Sequence, residues 1–443
     1  MIFTHGVIYK CMNRYLIGAG EMSFIKDFVQ GVPLPRMAKI RQTFAATEVV
    51  DLAATLIDQL SRPGVMDTIK PGMRIAIGVG SRGIAEIPTL VRVTVEQIKK
   101  RGGKPFIVPS MGSHGGATAE GQRDVLANLG VTEASVGCEI LASMEVVEVG
   151  RLDNGLPVYM DKFAHAADGI VVINRVKPHT CFHGPSESGL VKMITIGLGK
   201  QKGAESCHAY SFKHMAEHIL AMSDILLART PILFGVATVE NAYDRVAKVV
   251  AVPARELVET DQTLLVMAKA CMPKFMFDQF DVLIVDQLGK NVSGDGMDPN
   301  ITGRFSSPYA SGGPDIAQIV VLDLTELTHG NASGMGAADF ITRKMRDKID
   351  FPMTYANALT AALPSVARLP IVLDDDREAI LTAVKICYAR DLAQARIVRI
   401  KDTMHMSEIF ISEAMLPEAR ANSAIEVLSP PAEMMFDPSG NLL

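Results

Sequence analysis

The sequence predicts an α/β protein of two domains, each with a mainly parallel sheet flanked by helices, and an active site in the interdomain cleft. Three observations predict it. Apolar β-branched runs such as MRIAIGVG (73–80), GIVVINRV (169–176) and DVLIVD (281–286) alternate with stretches of helical period, the pattern of strands buried on both faces and joined by crossover helices. At 443 residues, the chain exceeds what one hydrophobic core ordinarily serves. Several strand-like runs end in loops rich in Gly, Ser and His, where open α/β sheets bind ligands.

Taken in order, MRIAIGVG is a strand and IPTLVRVTVEQIKKRGG (87–103) an amphipathic helix. PFIVPSM (105–111) is the next strand, and AEGQRDVLANLG (119–130) a helix opening near Thr118 and stopped by glycine. GIVVINRV is a buried strand closed by Pro178, which delivers His179 to its C-terminal loop. ILFGVATV (232–239) and KVVAVP (248–253) follow as strands. A helical stretch from Pro253 to about Ala270 reads as a crossover, with the boundary at Met272-Pro273. This divides the chain into a cofactor-binding unit over 1–270 and a substrate-cleft unit over 271–443. The second unit repeats the alternation with VLIV (282–285), QIVVLDL (318–324), a helix beginning near Met335, and PIVLD (370–374). No internal repeat, low-complexity tract or sustained heptad interrupts it.

Composition narrows the function. A hydrophobic content of 48% with 21% charged residues describes a globular protein. A net charge of −5 leaves no basic footprint for nucleic acid. No apolar run approaches the ~20 residues that cross a bilayer, so no membrane partner is expected. Lys10 and Arg14 interrupt the apolar N-terminus, which lacks a signal-peptide core, and Met22 is an alternative start. Cys11, Cys138, Cys181, Cys207, Cys271 and Cys387 are scattered without a paired framework, which favours a reducing cytoplasm. A homodimer is the default assembly.

The densest chemistry lies between Lys177 and His208, in KPHTCFHGPSESGLVKMITIGLGKQKGAESCH. Small residues Ser188 and Gly189 shortly before Lys192 let the backbone approach a bound group and donate N–H groups to an anion. Alone, a lysine is usually a solvated charge, and a histidine after a strand usually a structural one. His114, among the glycines of VPSMGSHGGAT, reads alone as a turn residue, and His208 as a helix-start residue pointing to solvent.

Order and spacing change that reading. With SRGI (81–84), GSHGG (112–116), KPH ending at His179, SGLVK ending at Lys192, His208 sixteen residues later and ENA (240–242), the chain resembles the nickel-dependent lactate racemase family. The resemblance implies a nickel pincer nucleotide (nickel pyridinium-3,5-bisthiocarboxylic acid mononucleotide) joined to Lys192 through a thioamide. His208 would complete a near-planar four-coordinate nickel centre, a geometry that suits nickel with soft donors. Ser81, Arg82, Ser188 and Gly189 would bind the cofactor, and His114 and His179 would be the acid and base. Arg82, a natural bidentate partner of carboxylate or phosphate, would also hold substrate.

The implied reaction inverts C2 of a 2-hydroxy acid. The C2–H bond beside a carboxylate is a poor acid, whereas the pincer ring can accept that hydrogen as hydride while a histidine takes the hydroxyl proton. Each enantiomer presents its hydroxyl on a different side, hence two histidines; imidazole, with a pKa near ~6.5, serves as either acid or base. The partners implied are the hydroxy acid and the enzymes that build the cofactor. Gln287 and Lys290 have the spacing of a substrate-contacting pair in the lactate racemases, and equally fit a plain turn with Asn291 and Gly294 in left-handed conformations. Asp295 and Asp298 do not fit a calcium loop.

Two departures stand out. The loop from His179 to Lys192 is longer than the family's usual form and contains His183, an alternative second base. Val79 stands where the lactate enzymes have an Asp, three residues before Arg82. Two other functions compete. His179, Cys181 and His183 alternate, so an extended backbone would gather them on one face and, with His208, form a zinc site for a hydrolase. A non-catalytic nucleotide-binding α/β protein would keep the scaffold without the chemistry.

Overall fold

The computed structural model describes residues 23–443 except 82. The reading of the N-terminal segment, the start at Met22 and the role of Arg82 fall outside the described residues.

In chain order the strands are β1 (Met37–Gln42), β2 (Arg74–Val79), β3 (Lys104–Pro109), β4 (Val146–Arg151), β5 (Pro157–Asp161), β6 (Gly169–Arg175), β7 (Ile232–Glu240), β8 (Val246–Pro253), β9 (Gln279–Leu288), β10 (Asp315–Leu324), β11 (Phe340–Thr342), β12 (Ile371–Leu373), β13 (Ile397–Ile400), β14 (Glu408–Ser412) and β15 (Ile425–Val427). One sheet has the order β3-β2-β6-β7-β8 and a larger one β12-β11-β10-β9-β13-β14-β1-β15. The first four strands of the smaller sheet are parallel, and β8 returns antiparallel to β7. In the larger sheet β9 to β13 are parallel, and β14, β1 and β15 extend it antiparallel. β4 and β5 form a separate hairpin.

The continuous apolar runs follow from burial on two faces. Along β6, Ile170 and Val172 join one core layer with Ala76 and Val108. Val171 and Ile173 join the opposite layer with Ile75 and Ile77. The larger sheet is divided the same way, with Leu283 and Val285 on one side and Val282 and Ile284 on the other. Period-two alternation thus sorts residues between two helical layers, giving each sheet an α/β/α sandwich.

The helices that matter here are α1 (Ile87–Lys100), α2 (Ala119–Asn128), α3 (Lys200–His208), α4 (Met215–Arg229) and α5 (Leu257–Cys271). In α1, Leu90, Val91, Thr94, Val95 and Ile98 are buried at helical spacing, with Pro88 in the first turn. Ile98 is fully buried, worth roughly 1.5–3 kcal/mol for such a side chain. Thr118 caps α2 by accepting from Gly121 N at 3.0 Å, as the sequence anticipates. The crossover stretch after Pro253 is α5, which leads from the smaller sheet to the larger.

Three expectations are corrected. β1 lies between β14 and β15 in the larger sheet, so Met37–Gln42 packs with strands from the second half of the chain. The helix expected near Met335 is a single 3-10 turn, Met335–Ala337. Gly334 adopts φ 102° there, and a Cβ on Gly336 would meet Ser365 O at 1.9 Å, so the backbone is held tightly before β11 begins. After β9 the left-handed residue is Gly296, at φ 72°, rather than Asn291 or Gly294. No helix of the described residues is long and apolar enough to cross a membrane.

Candidate active site

The motifs leave the sheet on one edge. β2 leads to Ser81, β3 to the GSHGG loop, β6 to His179, and β7 ends at Glu240 of ENA. Because these four strands are parallel, their C-terminal ends meet, the usual ligand edge of such a sheet.

The Ser81 hydroxyl is hydrogen-bonded to His114 Nδ1, which joins the first two loops. Gly112 and Gly115 adopt φ values of 60° and 66°, a region favourable to glycine. Beneath the loop, Gln122 Nε2 donates to the carbonyls of Gly112 at 2.8 Å and His114 at 3.2 Å. Gln122 Oε1 in turn accepts from Lys200 Nζ at 2.9 Å. Lys200 also donates to Pro109 O and lies 3.4 Å from Asp161, both side chains being fully buried. Desolvation outweighs their attraction, holding the Lys200 pKa down and pushing that of Asp161 up.

Lys192 ends a helical turn, Leu190–Lys192, that runs into a π-helical turn over Met193–Gly197 and then into α3. Such π turns recur at functional sites. His208 is the last residue of α3, not the start of a helix. Its Nδ1 lies 2.6 Å from Ala204 O; a carbonyl only accepts, so Nδ1 carries the proton and Nε2 the lone pair. Burial lowers the His208 pKa, and the Lys192 ammonium lowers it further against the opposing Ala204 bond. The imidazole is thereby kept neutral, the form that ligates metals.

His179 approaches the same region. Its backbone N–H donates to Glu187 at 2.7 Å, and its Nδ1 accepts from Cys181 N at 3.1 Å. Phe212 packs against both histidine rings, its centroid 5.8 Å from that of His179 and 5.4 Å from that of His208. Phe182 packs against His179 at 4.5 Å. His183 instead places Nε2 3.2 Å from Asn300 Oδ1 and meets Phe305 edge-on. The Cys181 thiol donates to Asp295 at 3.3 Å, and burial raises both pKa values. His179, Cys181 and His183 therefore turn to three different partners on a loop rather than sharing one face of a strand. Among the described residues no group of three or more His, Cys, Asp or Glu is placed to hold a metal, which leaves the zinc-hydrolase reading without support.

Residues 37–219 match the lactate racemase N-terminal domain. Residues 37–219 thus form a lactate racemase N-terminal domain. The lactate racemase apoprotein from Thermoanaerobacterium thermosaccharolyticum has a similar fold, with a TM-score of 0.50 and 12% identity over 83% of this chain and 99% of that one. No curated protein matches the chain.

The lactate racemase N-terminal domain begins at β1 and ends within α4, so it contains Ser81, His114, His179, Lys192 and His208. Gln287 and Lys290 lie beyond it. A cavity of about 420 Å³ separates the strand ends of the smaller sheet from the loop after β9, and Gly83, Lys177, Glu240, Lys290 and Ser293 are on its walls. Lys290 Nζ donates to Gly294 O at 2.7 Å. Gln287 lies on β9 opposite Asp323, with its N–H on Lys401 O at 2.9 Å, and is not on the cavity wall. Glu240 explains the ENA motif structurally: it accepts from Ala85 N at 2.7 Å and pairs with Arg175, tying β7 to the SRGI loop. A larger cavity of about 620 Å³ beside α4 and the β4–β5 turn contains none of the motif residues.

Lys200, Gln122, Glu187 and Phe212 were not singled out from sequence. Three of them act through partners distant along the chain, which local pattern does not encode. For Phe212 the available signal was its position four residues after His208.

Proposed function

We propose that this chain is a nickel-dependent racemase or epimerase that inverts C2 of a 2-hydroxy acid, with the nickel pincer nucleotide joined to Lys192. His208 carries the reading. It is neutral, with Nδ1 occupied by Ala204 and the lone pair on Nε2, and it sits within the electrostatic reach of the Lys192 amine. A metal that receives its other donors from a cofactor needs one such protein ligand, and this arrangement fits that need. When bound, the cofactor supplies a reversible acceptor for the C2 hydrogen.

The chain's own residues then bind the carboxylate and move the hydroxyl proton. Lys177 and Lys290 line a cavity that also carries Glu240, Asp244 and Asp298, and the Arg82 guanidinium is the proposed carboxylate partner. Ser188 exchanges two backbone hydrogen bonds with Lys177, at 2.7 and 3.2 Å, which brings the segments around Lys192 and His179 together. A backbone N–H always donates, so the Cys181 contact makes Nδ1 of neutral His179 an acceptor and puts its proton on Nε2. Neutral His179 therefore offers Nε2–H as a hydrogen-bond donor to substrate oxygen, and taking up the hydroxyl proton requires Nδ1 to leave the Cys181 amide. The Ser81 hydroxyl can either donate to or accept from His114 Nδ1, so His114 can take or release a proton through Nε2 without losing its anchor. The cleft between the two sheets is the proposed substrate site, and the cytoplasm the proposed setting.

Protein produced with nickel and the cofactor-building enzymes should carry a nucleotide-sized mass on the Lys192 peptide, which Lys192→Ala should abolish. An unmodified Lys192 in a fully active preparation would overturn the covalent assignment.

A further inference from the structure

Helix α5 carries no motif and lies beyond the matched domain, yet it grips the segment that bears Lys192. Asp261 is 1% exposed and accepts from Leu190 N at 2.6 Å. The other carboxyl oxygen, Oδ2, is buried with no hydrogen-bond partner, as is Ser186 Oγ. The contact is so close that a Cβ on Gly189 would lie 2.1 Å from Asp261 Oδ1. Gly189 has an extended backbone, at φ −167°, so glycine is required there for space. About two turns along the helix, Lys269 pairs at 2.6 Å with buried Glu187. Glu187 also accepts from His179 N at 2.7 Å and Gly184 N at 3.3 Å.

We propose that Asp261 is a positioning residue that sets the Lys192 turn for cofactor attachment, by holding the Leu190 amide at the start of that turn. Gly189 is the complementary half of the contact. The proposal rests on the assigned role of Lys192, but the clamp itself is measurable in the cofactor-free protein.

The full chain and its Asp261→Ala, Asp261→Asn and Leu264→Ala variants are compared in two measurements: amide hydrogen exchange across 189–197 without cofactor, and the fraction of Lys192 carrying the nucleotide mass after maturation. Asp261→Ala should speed exchange at Leu190 at least about tenfold and lower attachment by a similar factor. Asp261→Asn retains an oxygen acceptor and should retain most attachment. Leu264, buried on the same helix, serves as the control for lost stability: Leu264→Ala should melt earlier yet attach normally. Should Asp261→Ala not fold, Gly189→Ala disturbs the same contact and should lose attachment while Asp261→Asn keeps it; the reverse order overturns the proposal. Wild-type attachment in Asp261→Ala, or an equal loss in Leu264→Ala, would also overturn it. If the wild type itself takes no mass on Lys192, the role of that lysine fails and exchange decides the clamp alone, with unchanged exchange in Asp261→Ala ruling it out.

Discussion

Ser81 and His114 sit on loops from two different strands, and the serine hydroxyl is hydrogen-bonded to Nδ1 of the histidine. This orients the ring while leaving its protonation state adjustable. A hydrogen bond of this kind contributes about 0.5–1.5 kcal/mol, so Ser81→Ala should lower turnover roughly three- to tenfold. His114→Ala should lower it by ~10²–10⁴ if the ring is an acid–base group. Steady-state rates on protein with equal cofactor loading distinguish them; equal losses in the two variants would show that Ser81 does more than orient the ring.

His179 and His183 differ in what surrounds them. The first shares Phe212 with His208, whereas the second is directed to Asn300 and Phe305. His179→Ala should therefore retain bound nickel but lose ~10²–10⁴ in turnover, while His183→Ala should retain activity within about tenfold. His208→Ala should lose the metal. Nickel content by atomic absorption, measured beside the rates, tests all three, and an active His179→Ala with an inactive His183→Ala would move the second acid–base role to His183.

The sheets were legible in the sequence because parallel strands buried on both faces become continuous apolar runs, as in Ile170–Ile173. The Thr118 cap and the glycine-rich strand ends were legible for equally local reasons. β1 was not, since no strand is predicted over Met37–Gln42 from the sequence, and its partners β14 and β15 lie more than 360 residues away. Nor were Lys200 and Asp261, whose partners Pro109 and Leu190 lie 91 and 71 residues away. Both are buried charges, a class that composition predicts to be on the surface. Three-residue strands such as β11 and β15 are too short to show a period.

Lys200 and Asp161 form a buried pair whose desolvation is only partly offset by hydrogen bonds on both sides. Lys200→Met leaves the Asp161 carboxylate without its cation and should cost about 3–5 kcal/mol. The double variant Lys200→Met/Asp161→Asn should recover a large part of that loss. Urea unfolding of the four proteins closes the cycle; a single-variant cost under about 1 kcal/mol would show that the pair is structurally dispensable.

Burial pushes the Asp261 pKa from an ordinary 3.8 up to about 6, against the lowering effect of its hydrogen bond from Leu190. The folded state thus binds this proton more tightly than the unfolded chain does. The resulting stabilisation is complete below about pH 4 and lost as pH rises through 6. Asp261→Asn does not titrate, so its stability relative to wild type should improve by up to about 3 kcal/mol between pH 4 and 7. Denaturant midpoints across that range would show the trend, and a flat difference would mean that Asp261 is ionised throughout.

Inversion itself tests the central claim most directly. Protein matured with nickel and the cofactor-building enzymes is given single enantiomers of 2-hydroxy acids, deuterated at C2, in ordinary water, and the products are followed by chiral chromatography and mass spectrometry. The account predicts that at least one acid is inverted with most of its C2 deuterium retained, and that Lys192→Ala abolishes the reaction. Undiminished inversion in Lys192→Ala, or complete washout of the label within a single turnover, would contradict it.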